Sequence, residues 1–257
     1  MGIEIFKKHL REKRAIKISA ASGNYDLNKV AQICRSAQAS KASAVEIPIN
    51  KEAYNIARKN TKLPLFASSI HPFEILNAVK LGVDAIQIGP YFDVYKAGKR
   101  YSAEEIYDVI LETLGVINEY NVYTCVTIPA SLTFEEQCDL IKKLEIIGVD
   151  LLVCEGYKKS PSNHNVIVES AEFSIKCLSE LQKHTVLPIM VTSAINKAAL
   201  KFAFENGANA VNVDSFVCKL ETEVAIKSAI SEMVGIISYR NSFNKEIIRN
   251  QREMLFV

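Results

Sequence analysis

The sequence predicts an α/β protein of a single domain, a closed parallel (β/α)8 barrel of the TIM type. Three observations predict it. Eight short β-branched runs recur along the chain, each followed by a segment whose apolar residues return every three or four positions. The length of 257 residues matches the roughly 250 typical of such barrels. No shift in composition and no Pro/Gly/Ser-rich linker divides the chain. Strand-then-helix units call for a parallel sheet, and eight of them can close so that no strand edge is left open. The barrel is expected over about 15–239, with a short helical tail at 240–257, all within one domain spanning 1–257.

Each element has its own signal. The basic stretch Lys7 to Arg14 is interrupted by Leu10 and Glu12 and reads as a solvated first helix rather than a phosphate-binding arm. The first strand run is AIKIS, from Ala15, and the helix after it carries Val30, Ile33, Cys34 and Ala37 on one face, with Asn24-Tyr25-Asp26 at its start. AVEIPI from Ala44 and PLFASSI from Pro64 are the next two strands, and Pro72 opens the following helix. AIQIGP from Ala85 is the fourth. Ser102 with Glu105 three residues on makes a capping box for the helix bearing Ile106, Val109, Ile110 and Leu114. VYTCVTI from Val122 precedes a helix with Leu140, Ile141, Leu144 and Ile147. LLVCEG (Leu151), PIMVTSA (Pro188) and AVNVDSF (Ala210) complete the set. The similar segments GVDA, GVDL and GANA place Gly82, Gly148 and Gly207 at helix ends, where glycine supplies a left-handed cap before the next strand.

Composition excludes several functions. A net charge of +2 with no basic stripe interleaved with aromatics argues against nucleic acid. No apolar run is long enough to span a membrane, and no signal peptide pattern is present. Met1-Gly2 would suit myristoylation, but Phe6 stands where that motif wants Ser or Thr. The six cysteines form no CxxC pair and no zinc-like spacing, so they read as reduced, structural thiols. Glu46, Glu155 and Asp214 could ligate Mg²⁺, but no spacing specifies it, so no metal is assigned and no cofactor can be named.

A barrel of this class works at the C-terminal ends of its strands. Alternation along the runs sends Lys17, Ser19, Glu46, Gln87, Glu155, Thr192, Asn212 and Asp214 inward, where branched apolar residues normally fill the space. Each buried polar group needs a partner or costs about 1–3 kcal/mol, so this lining suggests a ligand site. Lys17 is expected between Asp214 and Glu46. A Schiff base on Lys17 would need desolvation or a cationic neighbour. Carboxylate neighbours favour the charged form, so Lys17 reads better as an electrostatic group that grips an anion or stabilises an enolate-like charge. The structural alternative is a Lys–carboxylate cluster that only fills the barrel.

Glu155 is either a general base or a rim glutamate paired to Lys158 or Lys159. Ser68, Ser69 and His71 finish the third strand, His71 reading as an acid/base group or a helix cap, and Thr127 closes the fifth. The loops Thr192-Ser193-Ala194-Ile195 and Asp214-Ser215-Phe216 stand where many barrels bind phosphate. Neither contains glycine, which lets backbone approach a phosphate, and Asp214 repels an anion unless Lys17 or a metal intervenes. The candidate catalytic residues are therefore Lys17, Glu46, Glu155 and Asp214. The candidate ligand-binding residues are Ser19, Ser68, Ser69, His71, Gln87, Thr127, Thr192, Ser193, Asn212 and Ser215.

At the strand ends the chain resembles a family of barrel proteins from cyanobacteria and algal plastid genomes, catalogued as a hypothetical chloroplast reading frame (number twenty-three). The resemblance runs from about Ala15 to about Ile226. It rests on Ala15-Ile16-Lys17 with Ser19, on Leu63-Pro64, and on Ser68-Ser69-Ile70-His71-Pro72, where the family usually has an acidic residue at the His71 position. Ile88-Gly89, Tyr95, Gly98, Val126-Thr127-Ile128-Pro129, Glu155-Gly156, Pro161-Ser162, Lys219-Leu220 and Glu223-Val224 follow. It implies a barrel similar to phosphate-binding metabolic enzymes, in a plastid stroma or else a bacterial cytoplasm, and it supplies no activity. The family looks like Ser-Gly after strand seven and Gly-Ser after strand eight, where this chain has Ser193-Ala194 and Asp214-Ser215; Tyr157 replaces the second glycine after Glu155.

Two functions follow as expectations. One is a small-metabolite enzyme of lyase or isomerase type, acting on a phosphorylated or carboxylated anion, by fold analogy. The other is a non-catalytic barrel that senses a metabolite or serves as an assembly partner. The tail bearing Phe243, Ile247, Ile248, Met254, Leu255 and Phe256 would dock on the barrel or on another subunit of a homo-oligomer.

Overall fold

Eight parallel strands close in chain order, each hydrogen-bonded to its sequence neighbours and β1 to β8. They are β1 (Ala15–Ser19), β2 (Ala44–Glu46), β3 (Leu65–Ser69), β4 (Ala85–Ile88), β5 (Tyr123–Ile128), β6 (Leu151–Cys154), β7 (Ile189–Val191) and β8 (Ala210–Val213). The helices are α1 (Gly2–Arg11), α2 (Leu27–Ala39), α3 (Lys51–Asn60), α4 (Pro72–Leu81), α5 (Ala103–Val116), α6 (Phe134–Ile146), α7 (Val166–Leu181), α8 (Lys197–Glu205), α9 (Ser215–Cys218) and α10 (223–238). The structure, a computed structural model, describes residues 2–21, 26–91, 94–95, 97–156, 166–193 and 195–238, with the backbone alone at 166–170. The tail at 240–257, Lys158, Lys159 and the 161–162 loop lie outside the described residues. The expected (β/α)8 barrel is the fold found.

The outer face of the sheet is apolar because alternation sends the branched residues of most strands that way. Ile16, Ile18, Val45, Ile86, Val126 and Val211 pack against the helix stripes that the three-and-four periodicity marked, such as Val30 and Ile33 of α2 and Leu140 and Ile141 of α6. Inside, a separate cluster fills the lower half of the barrel: Ala15, Ala44, Phe66, Ala85, Tyr123, Cys125, Leu151, Val153, Met190 and Ala210, joined by Phe6 and Leu10.

Those last two belong to α1, which closes the base of the barrel. The Phe6 ring meets Phe66 edge-on at 4.9 Å and Tyr123 at 6.2 Å. The expectation of a merely solvated first helix is corrected here. Lys8 and Arg11 are exposed, but Phe6 and Leu10, four residues apart, share the face that is buried. His9 is buried with them, its Nδ1 2.8 Å from Ser43 Oγ, which also accepts the Ile16 N–H at 2.9 Å. Burial, and then the charge of Arg14, lowers the His9 pKa to about 4.

The repeated glycine turns have a second feature. Gly82, Gly148 and Gly207 have φ of 96°, 79° and 102°, the left-handed caps expected. Two residues after each, an Asp or Asn side chain accepts the N–H at the start of the preceding strand. Asp84 takes Leu65 N (2.8 Å), Asp150 takes Thr124 N (2.8 Å) and Asn209 takes Ile189 N (3.0 Å). The repeat thus ties β3 to β4, β5 to β6 and β7 to β8 at the base. Among helix starts, Asp26 caps α2, accepting Asn28 N, and the Ser102/Glu105 box opens α5. A second box, Thr133 with Glu136, opens α6. All six cysteines are free thiols. Among the described residues no helix is long and apolar enough to cross a membrane.

Candidate functional site

Above the apolar layer the inner faces of the strands turn polar. Lys17 is fully buried on β1, with Ala44 and Asn212 as its register partners on the flanking strands. Its Nζ donates to Glu46 Oε2 of β2 and, at 2.7 Å, to Gln87 Oε1 of β4. Glu46 Oε1 accepts from Ser68 Oγ at 2.6 Å, and Gln87 Nε2 donates to Thr127 Oγ1 at 3.0 Å. One hydrogen-bonded chain therefore crosses β1 to β5. A Cβ at Gly89, φ 131°, would lie 2.1 Å from Thr127 Oγ1, so only glycine lets that strand end approach Thr127.

The far side of the mouth is simpler. Asn212 Nδ2 of β8 donates to Thr192 Oγ1 at 3.1 Å, while Asn212 Oδ1 is buried with no donor among the described residues. Ser193, with φ 78°, accepts the Gly156 N–H on its Oγ at 2.9 Å, tying the β6 and β7 loops. Ser19 Oγ accepts the Ala21 N–H at 3.3 Å. Glu155 is buried, and its expected partners Lys158 and Lys159 lie outside the described residues. Burial, then Tyr95 and the charge of Glu155, raises the hydroxyl pKa of Tyr91; burial, then Glu155, raises that of Tyr95. Tyr95 Oη accepts from Ser131 Oγ at 3.2 Å; Tyr91 Oη, fully buried, has no partner among the described residues.

Four residues stand apart from this network. The expected Asp214–Lys17 contact is replaced by Gln87–Lys17. β8 ends at Val213, and Asp214, with φ −120° and ψ −94°, turns its carboxylate onto the Ser215 N–H to cap α9. Ser215 is thus the first residue of that helix. Ser69 Oγ donates to Glu74 Oε2 (2.5 Å) and accepts the His71 N–H (3.0 Å), so it shapes the start of α4. His71 is exposed at the N-cap of α4 and makes no side-chain cap bond. Tyr91 and Tyr95 were not singled out as a pair at the mouth. The three tyrosines 91, 95 and 101 clustered after the fourth strand run are the signal that could have found them. Among the described residues no group of three His, Cys, Asp or Glu side chains could hold a metal ion.

Fold and site together define a (β/α)8 barrel with an apolar base and a charged, hydrogen-bonded mouth at the C-terminal ends of its strands. The chain belongs to the family described as "Protein of unknown function (DUF561)", which matches residues 3–243. Similar relatives are each named "Uncharacterized protein ycf23". The one from Cyanidium caldarium is 29% identical over 237 residues, covering 91% of this chain and 94% of its own. The one from Pyropia yezoensis is 24% identical over 247 residues, covering 95% and 90%. The resemblance read from the strand ends therefore holds.

Similar solved structures share the fold. A 3-deoxy-D-arabino-heptulosonate 7-phosphate synthase from Thermotoga maritima has a TM-score of 0.62 at 12% identity, covering 91% of this chain and 87% of its own. The 3-hexulose-6-phosphate synthase from Salmonella typhimurium has 0.61 at 14%, covering 86% and 98%. Thiamine phosphate pyrophosphorylase from Pyrococcus furiosus has 0.56 at 17%, covering 90% and 98%.

Proposed function

We propose that the polar mouth binds a small anionic metabolite, phosphorylated or carboxylated, and supports chemistry of the lyase or isomerase type. The observation that carries this reading is the buried ammonium of Lys17. Two of its three N–H groups are spent on Glu46 and Gln87, and the third would meet an anionic or carbonyl oxygen of a ligand that reaches this buried layer. A cation fixed in place by two acceptors needs no reorganisation to meet developing negative charge, which is how an enolate-like charge is stabilised. Asn212 Oδ1, on the neighbouring strand, suits a hydroxyl or amine of the same ligand.

The carboxylates divide the work. Glu46 has both oxygens engaged, by Lys17 and Ser68, and serves to hold the anchor. Glu155, beside the buried tyrosine hydroxyls, is the better acid/base group. Ser19, Ser68, Gln87, Thr127, Thr192 and Ser193 supply the remaining polar contacts. Ser69, His71 and Ser215 lie at the edge of the mouth, where they would meet only an extended ligand. The names of the structural neighbours, which carry phosphorylated compounds, support an anionic ligand by fold analogy. The algal origin of the relatives supports a plastid stroma, with a bacterial cytoplasm as the alternative.

One observation favours a second reading, a non-catalytic assembly-partner barrel with a degenerate phosphate site. Asp214 takes the Ser215 N–H, the kind of backbone donor that a phosphate at the end of β8 would need, and sets a negative charge beside it. A thermal-shift screen with sugar phosphates, nucleotides and small carboxylic acids separates the two. A ligand at a hundred times its Kd adds about 2.7 kcal/mol, several degrees for a chain of this size. The enzyme reading expects such a shift in the parent protein and its loss in Asn212→Ala. A folded protein that responds to none of the panel supports the second reading.

A further inference from the structure

At the opposite end of the barrel, on the N-terminal face, a cavity of about 430 Å³ opens between α1, the start of β5, the end of α7 and the segments leading into β7 and β8. Its size lies within the range of small-molecule sites. Lys7, Arg11 and Lys13 line it, and no Asp or Glu among the described residues does. Among the described residues Arg11 and Lys13 take part in no ion pair, and Lys7 has only a 3.6 Å contact with Glu4. The neutral polar groups of the wall are already bonded to protein: Gln182 Nε2 to Asn206 O, Thr185 Oγ1 to Glu145, Asn209 Oδ1 to Ile189 N. What the wall leaves uncompensated is positive charge.

The rest of the wall is apolar. Leu10 and Tyr123 are buried, and Lys7 Nζ stands 5.3 Å over the Tyr123 ring. Val186 is 95% exposed at the edge of the same cavity. Lys13 has φ 49°, the left-handed backbone region where glycine or asparagine is at ease and lysine is not. Lys13 nevertheless places its cation at the cavity.

We propose that this cavity is a second binding site, separate from the mouth, for a small amphipathic anion: a carboxylate, phosphate or sulfonate head on an aromatic or acyl body. The three cations take the head by an attraction that salt screens, since Arg11 and Lys13 are exposed. Tyr123 and Leu10 take the body. The layer of Phe66, Cys125 and Val153 belongs to the apolar interior between this cavity and the polar mouth, so the two sites do not share a residue.

The test is fluorescence titration of the full-length protein with 8-anilinonaphthalene-1-sulfonate and with its uncharged relative N-phenyl-1-naphthylamine. The sulfonate is expected to bind saturably, at least about tenfold tighter than the amine, and to weaken as salt rises from roughly 20 to 500 mM. Arg11→Glu with Lys13→Gly should weaken it by a further tenfold or so. Lys62→Glu with Lys41→Gly is the matched control, since it makes the same change in charge at exposed positions and relieves the same left-handed strain at Lys41, φ 59°. It should leave binding unchanged. Thermal unfolding of each variant confirms that it is folded. Equal binding of the two dyes, equal effects of the two double variants, or no saturable binding of the sulfonate would each overturn the proposal.

Discussion

The ammonium group of Lys17 lies 5.3 Å from the centroid of the Phe66 ring, and the boundary between the two interiors of the barrel runs between these side chains. Below it Phe66 meets Phe6 of α1; above it Lys17 meets Glu46 and Gln87. A cation over a ring in a desolvated place contributes up to about 2 kcal/mol.

Phe66→Leu keeps an apolar side chain but removes the ring from both neighbours. A loss of about 1–3 kcal/mol in urea unfolding is expected. In a double-mutant cycle with Phe6→Leu, a coupling of about 0.5 kcal/mol or more shows that α1 is held to the barrel through this pair. Strict additivity would mean that the base helix docks elsewhere.

Lys17→Met leaves the Glu46 carboxylate buried beside Ser68 with its cation gone. Breaking a buried ion pair in this way costs about 3–5 kcal/mol. Adding Glu46→Gln removes the stranded charge, so Lys17→Met/Glu46→Gln should recover much of the loss. Denaturant unfolding of the two singles and the double provides the measurement. A double variant as unstable as the lysine variant alone would show that the charge on Glu46 is not what the lysine offsets.

The three base turns should differ in strength although their geometry repeats. Replacing Asp150 or Asn209 by Ala leaves one strand N–H without its acceptor, a cost of about 1–3 kcal/mol. Asp84 also receives Arg58 Nη2 at 2.6 Å, so Asp84→Ala removes the carboxylate partner of a half-buried guanidinium as well, leaving it only the Leu63 and Gly82 carbonyls. This substitution should be the most destabilising of the three in thermal unfolding, and a loss no larger than that of Asp150→Ala would show that the Arg58 bond contributes nothing.

The strand order and the inward set on β1 to β5 were legible because alternation is enforced by the pleat. Ile16 and Ile18 pack outward and Lys17 inward as a direct consequence. Where each strand stops was less legible. The runs from Ala44, Pro188 and Ala210 continue past the hydrogen-bonded strands, which end at Glu46, Val191 and Val213. Alternation says nothing once the backbone leaves the sheet, and that is why Asp214 was assigned to Lys17 and caps α9 instead. α1 was misread for a different reason. In a stretch dense with Lys and Arg, two apolar residues one turn apart carry little weight, yet those two close the base. Gln87 was read as inward, but its bond to Lys17 joins side chains three strands apart, across the barrel, and only closure brings them together.

His9 makes the stability of that base depend on acid. Its pKa of about 4 in the fold lies below the ordinary 6.5, because burial, and then Arg14, disfavours the charged ring. Above pH 6.5 neither the folded nor the unfolded chain carries the proton, and the contribution to stability is complete. As the pH falls below 6.5 the unfolded chain takes up a proton that the folded chain refuses. Stability is therefore lost progressively down to about pH 4, by roughly 1–3 kcal/mol in all. Carboxylates titrate toward the lower end of this window, so the measurement is a difference: urea unfolding of the parent and of His9→Gln at intervals between pH 7 and 4. The variant, which cannot titrate, should be less stable than the parent at pH 7 and should close that gap as the medium is acidified. A gap that stays constant across the window would mean that the ring takes up its proton as readily in the fold as in the unfolded chain, and that its burial does not oppose the charge.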